Sequence, residues 1–177
     1  MQAQQIRRLV TGHDANGKSC FITDSVAPSV LAIAQMGGLT VTDLWETFDA
    51  PADNLGRHDN ADRPVHLEPK PRGTIFRVVE FPPDATWKNH ADGAAAFAAI
   101  QASHAADHAS DDPGMHKTAS VDYALVLEGE IWAVMETEER LMKAGDALVQ
   151  RGTNHAWANR TTQSCRVMFV LCGAQPV

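Results

Sequence analysis

Residues 115–130 read MHKTASVDYALVLEGE, and residues 145–159 read GDALVQRGTNHAWAN. In the first stretch His116, Thr118, Ser120 and Asp122 fall on alternate positions before an apolar run. Side chains two apart share one face of a strand, so an extended segment presents an imidazole, two hydroxyls and a carboxylate in a row. In the second stretch His155 follows a turn at Gly152, with Trp157 and Asn159 on alternate positions. His116 and Asp122 would lie ~20 Å apart along a straight strand, too far to share an ion whose ligand bonds are near ~2.1 Å. A bend is therefore expected within Thr118–Ser120, where Ser120 need not face inward.

The two stretches resemble the paired motifs of the cupin superfamily, the small double-stranded β-helix barrels. That family's first motif is H-x-H, three or four residues, a glutamate, six residues and a glycine. Here it reads His116, Lys117, Thr118, three residues, Asp122, six residues and Gly129. The second motif is a glycine, P-x-G, two residues, a histidine, three residues and an asparagine. Its counterparts are Gly145, Gln150-Arg151-Gly152, His155 and Asn159. Fifteen residues separate Gly129 from Gly145, the short spacing of compact cupins. The likeness covers 115–172 and is similar to small bacterial cupins that carry RGTNHAW.

The resemblance implies an all-β fold: a jelly-roll barrel with an N-terminal β-arm and one short inserted helix. It implies metal ligands at His116, Asp122 and His155, with Thr118 standing where a further histidine is usual. Two imidazoles and a carboxylate with open positions suit one divalent ion, Fe, Mn or Zn. The loss of one imidazole leaves a metal-free barrel as the other expectation. A small-molecule enzyme follows, with dioxygenase, isomerase and lyase unresolved and no catalytic residue assigned. The alternative is a non-catalytic module that binds a small ligand. Thr118, Trp132 and Trp157 are candidate pocket residues, although both indoles equally suit core packing. Arg151 or Arg77 could attract an anionic substrate, against the plainer reading of solvated surface arginines.

Outward from the motifs, residues 4–24 read as a hairpin turning at Asn16-Gly17. The same stretch matches a phosphate-loop pattern, Gly12 through Gly17-Lys18-Ser19. That loop must open a helix, and the strand-like CFIT that follows argues against nucleotide binding. Residues 25–38 read as a crossing loop, 39–48 as a strand, 49–72 as an irregular surface loop, and 73–83 as a strand stopped by Pro82-Pro83. The Ala-rich 92–109 predicts the single helix. The whole is one domain: an arm and first strands over 1–48, the loop, and a barrel over 73–177. On that helix His104 and His108 would share a face at i, i+4, a rival chelating pair with His90 or Asp107 as third ligand. The plainer alternative is a polar face on an exposed helix.

Composition narrows the classes. The 177 residues carry a formal net charge of −7 and no basic tract, which argues against nucleic acid. No run approaches the ~20 apolar residues of a membrane span. The first ten residues lack the apolar core of a secretory signal, so the expectation is a cytoplasmic protein without membrane partners. Cys20, Cys165 and Cys172 make an odd count without CxxC spacing, and are expected as free thiols. An isolated two-stranded arm is marginal. It is therefore expected to pack against a second copy in a homodimer, with the apolar outer wall of the barrel covered.

Overall fold

A computed structural model describes residues 5–176; the first residue of the expected hairpin lies outside them. Strands β1 (Arg7–His13) and β2 (Ser19–Val26) form that hairpin. Its turn uses Gly17 at φ 74°, while the Asp14 carboxylate accepts from the amides of Asn16 (2.8 Å) and Lys18 (2.9 Å). Ser19 opens a strand and not a helix. Next come β3 (Ser29–Ile33), β4 (Leu39–Thr47) and β5 (Thr74–Phe81). The motif half contains β6 (Ser120–Glu128), β7 (Glu130–Met135), β8 (Glu139–Lys143), β9 (Ala147–Arg151), β10 (His155–Ala158) and β11 (Cys165–Gly173).

The strands form a six-stranded antiparallel sheet, β3-β4-β5-β11-β6-β9, facing a three-stranded sheet, β10-β7-β8. This is a jelly-roll barrel. Alternation dictates which residues fill it: Val126, Ile131, Cys165 and Val167 point inward and are essentially fully buried. Tight turns need glycine where φ is positive. Gly129 (φ 79°) lets β6 fold directly back as β7, and a Cβ there would sit 3.1 Å from the Ser164 carbonyl.

Three expectations need correction. Residues 25–38 contain an edge strand, β3, whose register opposite β4 runs from Ser29↔Asp43 to Ile33↔Leu39. Pro28 only precedes it, as an edge strand tolerates. The helix is far shorter than 92–109. Helix α1 spans Gly93–Ala99, with the Asp92 carboxylate accepting from the Ala95 amide at 3.0 Å. Gln101, at φ 57°, turns the chain out of the helix, which lets Ala102 and Ala105 bury. Alanine propensity is local and weak; the tertiary packing of those two residues overrides it.

The 49–72 loop has no strand or helix, but its second half is not surface. Ala61 and Val65 are buried, and a charged cluster fastens the segment to the barrel. Asp43 and Glu46, both 0% exposed, point inward from β4. Asp43 accepts from Arg77 Nε (2.8 Å) and Arg63 Nη1 (2.9 Å). Glu46 pairs with Arg63 and contacts His66 Nε2 at 3.2 Å. Two fully buried carboxylates thus face two guanidinium groups, that of Arg77 buried and that of Arg63 16% exposed.

Removing one partner of a buried ion pair strands the other charge, a loss of about 3–5 kcal/mol. Arg77→Met should therefore cost that much in denaturant unfolding. Arg140→Met, whose side chain is 73% exposed in its pair with Glu138, should change stability by less than about 0.5 kcal/mol.

Candidate functional site

His155 begins β10 directly after the Gly152 turn. Buried Gln150 holds that turn in place of the usual proline, with Nε2 donating to the Thr153 carbonyl at 3.1 Å. His116 lies before β6, joined to His155 by an isolated antiparallel bridge. Each amide donates to the other residue's carbonyl at 2.9 Å. The imidazoles come to rest with centroids 4.3 Å apart. The bend between His116 and Asp122 falls at 117–119, ahead of β6. Ser120 faces inward and is buried, which corrects the freer placement expected for it.

Both rings are oriented alike. His116 Nδ1 contacts the Gly114 carbonyl at 2.8 Å, and His155 Nδ1 contacts the Thr153 carbonyl at 2.9 Å. A carbonyl only accepts, so in the neutral ring each Nδ1 carries the hydrogen and each Nε2 keeps its lone pair. Burial pushes the His155 pKa down to about 3, aided by neighbouring His116 and opposed by the Thr153 contact. Burial also lowers that of His116, against the Gly114 contact and the charges of Glu68 and Asp112. Both rings are neutral near pH 7.

The pair opens on a mainly apolar cavity whose walls include Phe81, Trp87, Phe97, Trp157 and Phe169. Its polar lining is Arg77, His116, Asp122 and His155. Phe97 packs 5.2 Å from the His116 ring, and Trp157 stands edge-on to His155 at 6.1 Å. Asp122 accepts from Ser120 Oγ at 2.6 Å, and Ser120 shares a 2.9 Å hydrogen bond with Thr118. Burial raises the Asp122 pKa to about 6; Ser120 and Arg77 oppose the rise and Glu68 adds to it.

The expected three-ligand set is therefore brought together in part. His116 and His155 are neighbours and Asp122 shares their cavity. Yet among the described residues no three His, Cys, Asp or Glu side chains gather as a metal-holding group. Two imidazole donors fit a divalent ion; the carboxylate, turned to Ser120, does not join them in this arrangement.

Other candidates fall elsewhere. Trp157 lines the cavity, but Trp132 is on the outward face of β7 beneath the Arg160 guanidinium, 4.8 Å from the ring centroid. Thr118 is buried on Ser120 and is not part of the cavity wall. The rival pair fails because the helix stops at Ala99; His104 instead contacts Glu68 Oε2 at 2.7 Å. Arg151 is exposed. Arg77 is buried, not solvated, and is committed to Asp43 and to the carbonyls of His66 and Leu67. Asn159 is structural, donating to the carbonyls of Phe81 (2.9 Å) and Gln163 (2.8 Å).

No protein-family model matches the chain. Oryzines biosynthesis cluster protein J of Aspergillus oryzae is 46% identical, covering 98% of this chain and 86% of that protein. Phomopsin biosynthesis cluster protein C' of Diaporthe leptostromiformis is 32% identical, covering 96% and 79%. The cupin-domain-containing oxidoreductase fogC of Aspergillus ruber is 26% identical, covering 98% and 75%. The chain belongs to the cupin superfamily. These three relatives are fungal, where the motif resemblance pointed to small bacterial cupins. Among solved structures, the cupin domain of Schizosaccharomyces pombe Cnp3 has a TM-score of 0.47 at 11% identity, covering 96% of this cupin and 89% of that chain.

The neutral histidines set an acid limit for the metal-free cupin. An unfolded imidazole takes a proton below about 6.5, while folded His155 resists to about 3. Its contribution is present above pH 6.5 and is lost as pH falls toward 3, at up to about 1.4 kcal/mol per unit. His155→Asn should flatten this limb in unfolding curves between pH 7 and 4. Asp122 has the opposite sign. Its stability is full below the unfolded value of 3.8 and is lost as pH rises through about 6, so Asp122→Asn should help most at neutral pH.

Proposed function

We propose that this cupin is an enzyme acting on a small, largely apolar molecule held inside the barrel. One divalent metal (Fe, Mn or Zn) would be held by Nε2 of His116 and His155. The observation that carries the reading is the pair of oriented, neutral imidazoles at the wall of an apolar cavity. A ligand histidine whose second ring nitrogen donates to a backbone carbonyl has its tautomer and direction fixed. Asp122 would complete the set by exchanging its Ser120 hydrogen bond for the ion. When bound, the metal supplies Lewis-acid or redox chemistry.

The chain's own residues define the rest of the chemistry. The aromatic walls exclude water and hold a ring or alkyl body by burial. Trp157 and Phe97 flank the histidines and confine the reacting part of the molecule next to them. In the metal-free chain burial raises the Asp122 pKa to about 6; a bound cation would reverse that and hold the carboxylate ionised as its ligand. Arg77 is already neutralised by Asp43, which favours a neutral substrate over an anion. The name of fogC supports a redox step over isomerisation or elimination, and the two cluster proteins support a role in making a small natural product. The unpaired cysteines among the described residues fit a reducing cytoplasm, where we place the protein.

A non-catalytic ligand-binding module is the second reading, favoured by the lack of a third donor gathered beside the histidines. Metal analysis after chelator-free purification separates the two. The enzyme reading predicts about one divalent ion per chain, as a mononuclear site requires, lost in His116→Ala and in His155→Ala and weakened in Asp122→Ala. Oxygen uptake with small aromatic substrates should follow the metal. A metal-free wild type, or histidine variants that keep the full ion, would overturn the metal assignment in favour of the binder.

A further inference from the structure

The cavity wall contains a hydrogen-bond donor that the protein leaves unused. Trp87 is 8% exposed and lines the cavity. Its indole Nε1 is closed to water and has no partner among the described residues. An indole nitrogen only donates, and a buried one usually finds an acceptor. The other polar groups of the wall are occupied: both histidine Nδ1 atoms, Asp122 and Arg77 all have protein partners. Of the buried polar side-chain atoms that lack a partner among the described residues, the Trp87 nitrogen is the one whose residue lines this cavity.

The chain fixes the indole where it is. Trp87 lies between two 3-10 turns, Asp84–Thr86 and Lys88–His90. Its amide donates to the Asp84 carbonyl at 3.1 Å, and its carbonyl accepts from the His90 amide at 2.9 Å. Lys88 Nζ ties the second turn to Asp112 at 2.8 Å. The ring rests on Gly37, where a Cβ would come within 2.7 Å of Trp87 Cβ, Cγ and Cδ1. Cδ1 is bonded to Nε1, so the N–H edge of the ring is the edge beside Gly37. The neighbouring Met36 lines the same cavity, and an unbranched thioether side chain yields to an incoming group. A fixed donor thus stands next to an adaptable side chain.

We infer that the Trp87 N–H donates to a neutral oxygen acceptor, a carbonyl above all, on the molecule that occupies the cavity, and selects that molecule over a hydrocarbon of the same shape. The inference rests on the cavity being the chamber for a small, largely apolar ligand; it does not depend on a metal. Folding has already stripped the N–H of water, so only the ligand's oxygen gives up a water hydrogen bond when the two meet. A hydrocarbon analogue gains its burial alone and leaves the donor unpaired, which is how a buried polar group discriminates. The N–H carries no charge, and Arg77 is committed to Asp43, so the acceptor it suits is neutral.

Cyclohexanone and methylenecyclohexane differ by C=O against C=CH2 on one ring and are the probes. They are titrated into the chelator-treated full chain carrying nitrogen-15 in its indoles, with Trp87→Phe assigning the Trp87 signal. Cyclohexanone should move the Trp87 indole proton downfield, and methylenecyclohexane should not. Trp132, outside the cavity, should stay still with both. Trp87→Phe should cut the preference for cyclohexanone over methylenecyclohexane by about 3–10-fold, the worth of one hydrogen bond. If the variant does not fold, the wild-type shift decides alone. Both probes entering without a downfield Trp87 shift for the ketone, or with a preference unchanged in the variant, overturns the inference and leaves the ligand chamber standing. Neither probe entering overturns both.

Discussion

Two backbone hydrogen bonds between His116 and His155 set the geometry on which the site depends. Residues that exchange both N–H···O bonds sit about 5.5 Å apart at Cα with side chains on the same face. The imidazoles therefore have to lie side by side, and their 4.3 Å centroid separation follows from the bridge. The inserted segment is stitched to the same point. Ala106 bridges to His116, the Lys117 amide donates to the Ala105 carbonyl, and the Asp107 amide donates to that of Met115. Local contacts to Gly114 and Thr153 then rotate both rings to one tautomer. Gln150 donates to the same Thr153 carbonyl that orients His155, so the turn and the ring are held through one oxygen.

The barrel interior is also unusually charged for its size, and this shapes the site. Asp43, Glu46, Arg63 and Arg77 compensate one another where the loop meets the barrel. Such a cluster adds little net stability over an apolar core, but losing one member is expensive. It holds the second half of the 49–72 loop against the barrel and keeps Arg77 occupied. The Arg77 charge therefore only moderates the effect of burial on Asp122, whose carboxyl stays near 6. Of the four, only Arg77 also acts on the cavity, lowering the Asp122 pKa against the larger effect of burial.

Much of the barrel is legible in the sequence, because turns and alternation are local. Gly129, Gly145 and Gly152 all adopt positive φ, and the spacing among them, His155 and Asn159 carries the motif resemblance. The 118–122 row is inward as alternation requires. What escapes sequence reading is non-local. The Ala-rich stretch past residue 99 has helical propensity throughout, but burial of Ala102 and Ala105 decides its path. Asp43 and Glu46 look like the polar side of an alternating strand. The available signal was Arg77, set within the mostly apolar strand TIFRVVEF and opposite Asp43 in register. Asp122 has the spacing of a ligand, and only the Ser120 hydrogen bond shows where its carboxylate points. Trp132 and Trp157 are indistinguishable by composition; the register Trp157↔Ala133 and Ala158↔Trp132 sets them on opposite faces of one sheet, one outside and one in the cavity.

His116 and His155 are held as neutral Nδ1–H tautomers that leave both Nε2 lone pairs to the cavity. Ring-nitrogen NMR of the chelator-treated protein tests this directly. At pH 7 both residues should show a protonated Nδ1 and an unprotonated Nε2, and zinc titration should move both Nε2 signals together. Nε2–H tautomers, imidazolium rings, or zinc shifts confined to other histidines would contradict it.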